Sequence, residues 1–114
     1  MKKILLGMTL LFGVLSNQTM AAERMFTIVN HQFEGTKQWL PGTLIVNEGD
    51  NVVIKLINNA PSGVHNFSIP AFDINQNVLK GKPATIKFKA TKKGIHNIKC
   101  GLHAAHVGGQ FIVQ

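Results

Sequence analysis

Cys100, His103 and His106 lie in one short stretch, Ile98-Lys99-Cys100-Gly101-Leu102-His103-Ala104-Ala105-His106-Val107, at Cys-x2-His-x2-His spacing. Cys100 is the only cysteine of the chain, and these are two of its five histidines. A third, His65, stands upstream in the apolar run Val64-His65-Asn66-Phe67-Ser68-Ile69. One thiolate with imidazoles is a metal-ligand set. It can hold zinc tetrahedrally, although structural zinc sites more often use several cysteines. On a rigid scaffold the same donors favour a single copper ion that changes oxidation state. An iron–sulfur cluster is excluded, because it needs more than one cysteine.

Each residue alone has a plainer reading. A lone cysteine is usually a packing residue, and a lone inward histidine is usually a hydrogen-bonded core residue. What separates the two readings is whether the chain can bring the groups to one point. Two-residue periodicity in Ile95–Cys100 puts His96, Ile98 and Cys100 on one face, with Lys99 on the other. Cys100 therefore points inward at the end of a strand, and Gly101 opens a loop that carries His103 and His106. His65 shares its face with Phe67 and Ile69. Two strands and one closing loop can thus present His65, Cys100, His103 and His106 together. His96 lies deeper on the same face as Cys100 and is expected to be structural. His31, near Phe33 and Trp39, is expected at the surface of an N-terminal loop.

The elements that must do the positioning are short strands. Met25–Val29, Thr43–Val46, Asn51–Asn58, Val64–Ile69, Ala84–Ala90, Ile95–Cys100 and Gly109–Val113 each have apolar or alternating character. Ile86 and Phe88 alternate with Lys87 and Lys89 as they would on a half-buried strand. Asn47-Glu48-Gly49-Asp50 and Lys92-Lys93-Gly94 are turn-forming. Asp73–Lys82 is polar and reads as a loop or a short helical turn. About seven strands without a long helical pattern define an all-β sandwich or barrel. The length of 114 residues allows one such domain.

The N-terminus indicates the compartment. Lys2 and Lys3 precede the apolar stretch Ile4–Leu15, and Thr19-Met20-Ala21 supplies small residues before a cut, with a cut after Ala22 as the alternative. This is the pattern of a signal peptide over residues 1–21, leaving a domain over 22–114. The apolar run is too short to span a bilayer, which takes about 20 residues, and no later segment could do so. The expectation is a periplasmic protein. An exported chain with one cysteine cannot form an internal disulfide, which again favours metal ligation. Loss of Lys2 and Lys3 lowers the formal charge from +7 to +5. The remaining lysines suit steering toward an acidic protein partner. Nucleic acid is not expected, since export removes the protein from it.

On these residues the chain resembles the cupredoxin family. Val46-Asn47-Glu48-Gly49-Asp50-Asn51-Val52 resembles the family's strand-turn-strand element. Val64-His65-Asn66-Phe67 resembles the segment of the first histidine ligand in its plastocyanin-, pseudoazurin- and amicyanin-like members. Lys92–Cys100 resembles the strand leading to the cysteine ligand, and Gly108–Val113 the closing strand. The resemblance implies a Greek-key β-sandwich or barrel, a mononuclear copper site on His65, Cys100 and His103, and electron transfer between redox partner proteins rather than catalysis. The chain departs from the pattern at the fourth ligand. An amicyanin-like loop has methionine at the place of His106, whereas all four methionines here stand at or before Met25. Phe67–Phe72 and the paired downstream histidines are similar to nitrosocyanin, a red-copper member, although that protein has Glu where this chain has His65. A copper-A centre needs two cysteines and is excluded. With His106 as fourth ligand, a stronger donor than a thioether, the expectation is a lower reduction potential and a colour moved from blue toward green or red. Copper storage or delivery without redox turnover, and a site open to a small molecule such as nitric oxide, are the alternatives. No positioned acid or base argues for an enzyme.

Overall fold

The computed structural model describes residues 21–61 and 63–114. The signal segment expected over residues 1–21 lies, apart from Ala21, outside the described residues. Among the described residues no helix is long and apolar enough to cross a membrane.

Nine strands form among the described residues: β1 Glu23–Phe33, β2 Thr36–Leu40, β3 Thr43–Val46, β4 Asn51–Asn58, β5 His65–Ile69, β6 Ile74–Val78, β7 Ala84–Lys89, β8 Gly94–Ile98 and β9 Gly109–Val113. One sheet has the order β2-β1-β4-β7, a second β3-β9-β8, and β5 pairs with β6. β1 runs parallel to β4, and β3 parallel to β9; the other pairs are antiparallel. The all-β expectation holds, and all seven expected strands are present; six differ little at their ends, while the strand expected over Met25–Val29 extends over Glu23–Phe33.

Two strands were not legible in advance. Within the segment read as loop or helical turn, Ile74–Val78 forms β6, preceded by a single 3-10 turn over Pro70–Phe72. Thr36–Leu40 forms β2, joined to β1 by a hairpin whose Glu34 and Gly35 both have positive φ, 49° and 83°. That conformation matches the right-handed twist of the strands it connects. His31 therefore lies on a strand, opposite Gln38, rather than in a loop; it is exposed as expected.

The core follows from alternation. In β4, Val52, Ile54, Leu56 and Asn58 face inward, and in β7 the half-buried Ala84, Ile86 and Phe88 do. They meet Ile28, Leu44, Val46, Phe67, Ile69, Ile98, Phe111 and Val113 from the other strands. Phe72, Phe88 and Phe111 form an aromatic cluster with centroids 5.3–5.5 Å apart. His96 packs edge-on to Phe72 at 5.0 Å, with Nε2 2.9 Å from the Lys92 carbonyl; it is half-buried, not deeper than the buried Cys100 as its strand position implied.

Asp50 ties the start of β1 to the turn before β4. Its carboxylate accepts from the Asn47 N–H at 2.9 Å, the Ala22 N–H at 3.1 Å and Arg24 Nε at 3.2 Å. The Asn47 N–H is the largest influence holding the Asp50 carboxyl below its usual 3.8, aided by Ala22 and Arg24 and opposed by burial. A lowered folded value means that the stabilisation is present above the unfolded pKa and is lost as pH falls through the folded one. We therefore expect the denaturation midpoint to drop on acidification from about pH 5 to pH 3. Asp50→Asn should be less stable at pH 7 and show a shallower drop, which urea titrations across that range would measure.

Candidate metal centre

Three of the four candidate ligands meet at one end of the sandwich. One donor atom each from His65, Cys100 and His103 lie within 4.8 Å of one another. His65 begins β5 and is buried, 1% exposed; Cys100 is 7% exposed; His103 is exposed. Cys100 Sγ is 3.5 Å from His103 Nδ1, and the His65 and His103 ring centroids are 4.8 Å apart. Ligands to one ion at about 2.3 Å for sulfur and 2.0–2.1 Å for nitrogen stand 3–4 Å apart at tetrahedral or trigonal angles, so the sulfur–nitrogen separation fits a shared ion directly. A soft, buried sulfur beside two imidazoles suits copper by donor type.

Local structure explains the convergence. β8 ends at Ile98, and Lys99 then pairs with Ser68 through two 2.9 Å backbone bonds. This brings Cys100 alongside the beginning of β5. The Asn66 N–H, one residue past His65, donates to Cys100 Sγ at 3.3 Å. Such a bond reduces the electron density that the sulfur offers a metal.

The Asn66 side chain fixes the far side of the loop. Its Oδ1 accepts from the Gly101 N–H at 3.0 Å, and its Nδ2 donates to Asn75 Oδ1 and, at 2.8 Å, to Asn77 Oδ1. Trp39 Nε1 donates to the Asn66 carbonyl at 3.2 Å. The loop returns to the sheet at Val107, whose N–H donates to the Lys37 carbonyl at 2.8 Å. Gly109 then passes so close to Gly42 that a side chain would strike the Gly42 carbonyl.

His106 is placed differently. It is 7% exposed, with its ring 5.5 Å from that of His65 and 6.0 Å from that of Trp39. Its Nε2 lies 2.6 Å from Asn30 Oδ1 and its Nδ1 3.0 Å from the Val107 carbonyl. The structure therefore brings His65, Cys100 and His103 into one group and leaves His106 beside it, turned toward Asn30. Burial is the main cause holding the His106 pKa below its usual 6.5; the Val107 carbonyl opposes this, while the charges of His103 and Lys37 add to it. Both ring neighbours are acceptors, and a neutral ring can donate to only one. The shorter contact favours the tautomer in which Nε2–H donates to Asn30 Oδ1 and Nδ1 keeps its lone pair.

Sequence reasoning missed this asparagine framework. Asn30 is fully buried, donates through Nδ2 to Asn58 Oδ1 at 3.1 Å, and stands opposite Asn58 in the β1–β4 pairing. Asn58 in turn donates to the Val78 carbonyl at 2.9 Å and the Gly63 carbonyl at 3.3 Å, and accepts from the Ala60 N–H at 3.0 Å. The available signal was Asn30 and Asn58 in line with the apolar inward residues Phe26 and Ile28 of β1 and Val52, Ile54 and Leu56 of β4. Buried amides there need partners, and the partners are remote in sequence.

A small β-sandwich with one cysteine and two histidines gathered at a loop end defines a copper-protein type of architecture. Comparison with known families agrees: the cupredoxin-like domain model matches residues 3–113, and the chain belongs to that family. Among solved structures it is similar to the copper nitrite reductase from Nitrosomonas europaea, with a TM-score of 0.69 and 19% sequence identity. The match covers 81% of this chain and 41% of that one, so the chain spans about two fifths of the length of that structure. At this identity the likeness establishes the fold. No curated protein matches the chain.

Proposed function

We propose that the protein is an exported carrier of single electrons, holding one copper ion on His65, Cys100 and His103 with His106 as the fourth donor. The observation that carries this reading is the meeting of a buried thiol and two imidazoles within 4.8 Å on a strand-anchored frame. Copper bound there would supply a reversible Cu(II)/Cu(I) couple. The protein's part is to keep the donors in place, through the Asn66 N–H on the sulfur, the Asn66–Gly101 bond and the Lys99–Ser68 pairing. For His106 to join the set, its ring must turn from Asn30 and the Val107 carbonyl, which its two nitrogens now face.

The exposed His103 offers an edge of the site to a partner. Leu102 and Val107, 53% and 42% exposed, and the exposed Ala104 and Ala105 surround it with apolar surface. A small apolar contact suits a transient redox encounter, and the lysine-rich remainder suits an acidic partner. Catalysis is not part of the proposal, since Glu34, Glu48, Asp50 and Asp73 are acids of turns, and Asp50 is engaged by Arg24 and two backbone N–H groups.

Export enters through the N-terminal pattern. Cleavage after Ala21 would leave the Ala22 amine 3.1 Å from Asp50 Oδ1, converting that hydrogen bond into an ion pair. One preparation tests the whole reading. Protein purified from the periplasm should have a mass beginning at Ala22, contain one copper per chain, and give a fast, reversible one-electron wave on an electrode. Copper without a reversible wave would indicate storage or delivery instead, and zinc in place of copper would defeat the reading.

A further inference from the structure

We propose that Asn30 is a positioning residue that governs how firmly His106 can bind the metal. The inference rests on the copper reading above and adds to it a residue remote in sequence from every candidate ligand. Asn30 lies in the C-terminal half of β1, opposite Trp39 of β2 and Asn58 of β4, and is fully buried. Its two side-chain atoms have different duties. Nδ2 is fixed on Asn58 Oδ1, and Asn58 is itself held by the Val78 and Gly63 carbonyls. Oδ1 is thereby aimed outward at His106 Nε2, 2.6 Å away.

This geometry sets up a competition. The orientation of the amide is dictated by Asn58, so Oδ1 cannot turn aside without leaving a buried hydrogen bond unmade, which is costly in a site shielded from water. The Nε2 proton held by Asn30 occupies the lone-pair position that a metal would need. Nδ1 keeps its lone pair in this tautomer, but while Asn30 holds the ring it faces the Val107 carbonyl 3.0 Å away, so it too reaches a metal only if the ring turns. Meanwhile the ring of His106 is close to that of His65, 5.5 Å between centroids, so a modest reorientation separates the two states. The bond to Asn30 therefore opposes the bond to the metal, and the strength of the acceptor at position 30 sets the balance.

Asn30→Leu removes the acceptor while keeping the branching and number of side-chain heavy atoms, and Asn58 Oδ1 keeps its bond from the Ala60 N–H. In the metal-free protein, long-range proton–nitrogen NMR should show the His106 Nε2–H tautomer in the wild type and its loss in Asn30→Leu. In the copper-loaded protein, Asn30→Leu should raise the ratio of the short- to the long-wavelength sulfur-to-copper band at least about twofold and lower the reduction potential. His106→Ala should move both the opposite way, and Asn30→Leu should have no further effect in a His106→Ala background. Asn30→Asp, a stronger acceptor, should shift the spectrum toward that of His106→Ala; it decides the matter by sign if Asn30→Leu fails to fold. An Asn30→Leu spectrum identical to that of the wild type, with the NMR change present, overturns the proposal and leaves Asn30 a packing residue. A wild-type protein with no sulfur-to-copper band overturns this inference together with the copper reading.

Discussion

Cys100→Ser should leave a folded protein that has lost its intense visible absorption and binds copper at least about 100-fold more weakly. Loss of a single outer-shell partner already costs about 10–100-fold in metal affinity, and here the soft thiolate itself is replaced by a hard hydroxyl. Serine is nearly isosteric, and its oxygen can accept the Asn66 N–H that now reaches Cys100 Sγ at 3.3 Å. The two backbone bonds between Lys99 and Ser68 do not involve the side chain, so the fold has no reason to change. Competition titration against a chelator of known affinity, with circular dichroism as the control for folding, would measure the effect. A serine variant that keeps wild-type affinity would remove the sulfur from the ligand set and, with it, the electron-carrier reading.

The parts of the site legible in the sequence were those fixed by short-range geometry. Cys100 and His103 are close in the chain, and strand alternation was enough to point His65 and Cys100 inward. The frame around them was not legible, because its bonds join distant residues. Asn30 and His106 are separated by 76 positions, and Asn66 and Cys100 by 34. A sequence period places a side chain on a face but not opposite a particular partner. His106 shows the consequence. Its spacing marks it as a fourth ligand, while the structure turns its ring toward a buried amide that no local pattern announced.

The same limit explains the two missed strands. In β2 only Trp39 is buried, so no alternation reveals the element. In β6 the inward positions are Ile74, Gln76 and Val78, and the central amide breaks the apolar pattern. Both strands serve the site. β2 supplies Trp39 for the Asn66 carbonyl and Lys37 for Val107, and β6 supplies Asn75 and Asn77. Strands whose polar residues are needed for positioning are the ones least visible to a hydrophobic pattern.

Phe67→Ala should destabilise the metal-free protein by about 3–5 kcal/mol, as measured by urea or guanidinium titration. Phe67 is 0% exposed and packs edge-on against Trp39 with centroids 5.4 Å apart. Its deletion removes a large apolar area from the core and leaves a cavity that the paired strand β5–β6 cannot close without moving. A domain of this size is typically stable by only about 5–15 kcal/mol, so the variant would sit near its unfolding threshold. Phe33→Ala is the control: Phe33 is 63% exposed, and its loss should cost no more than about 0.5 kcal/mol. The consequence reaches the metal centre, because Phe67 lies two residues beyond His65 on the same strand, with Asn66 between them. Copper that binds only the folded state adds stability in proportion to the logarithm of its concentration over Kd. Copper should therefore raise the Phe67→Ala midpoint, and fail to do so when Cys100→Ser is added. A cost below about 1 kcal/mol for Phe67→Ala would show that β5 is held by its backbone pairing alone, and that the hydrophobic core does not set the position of His65.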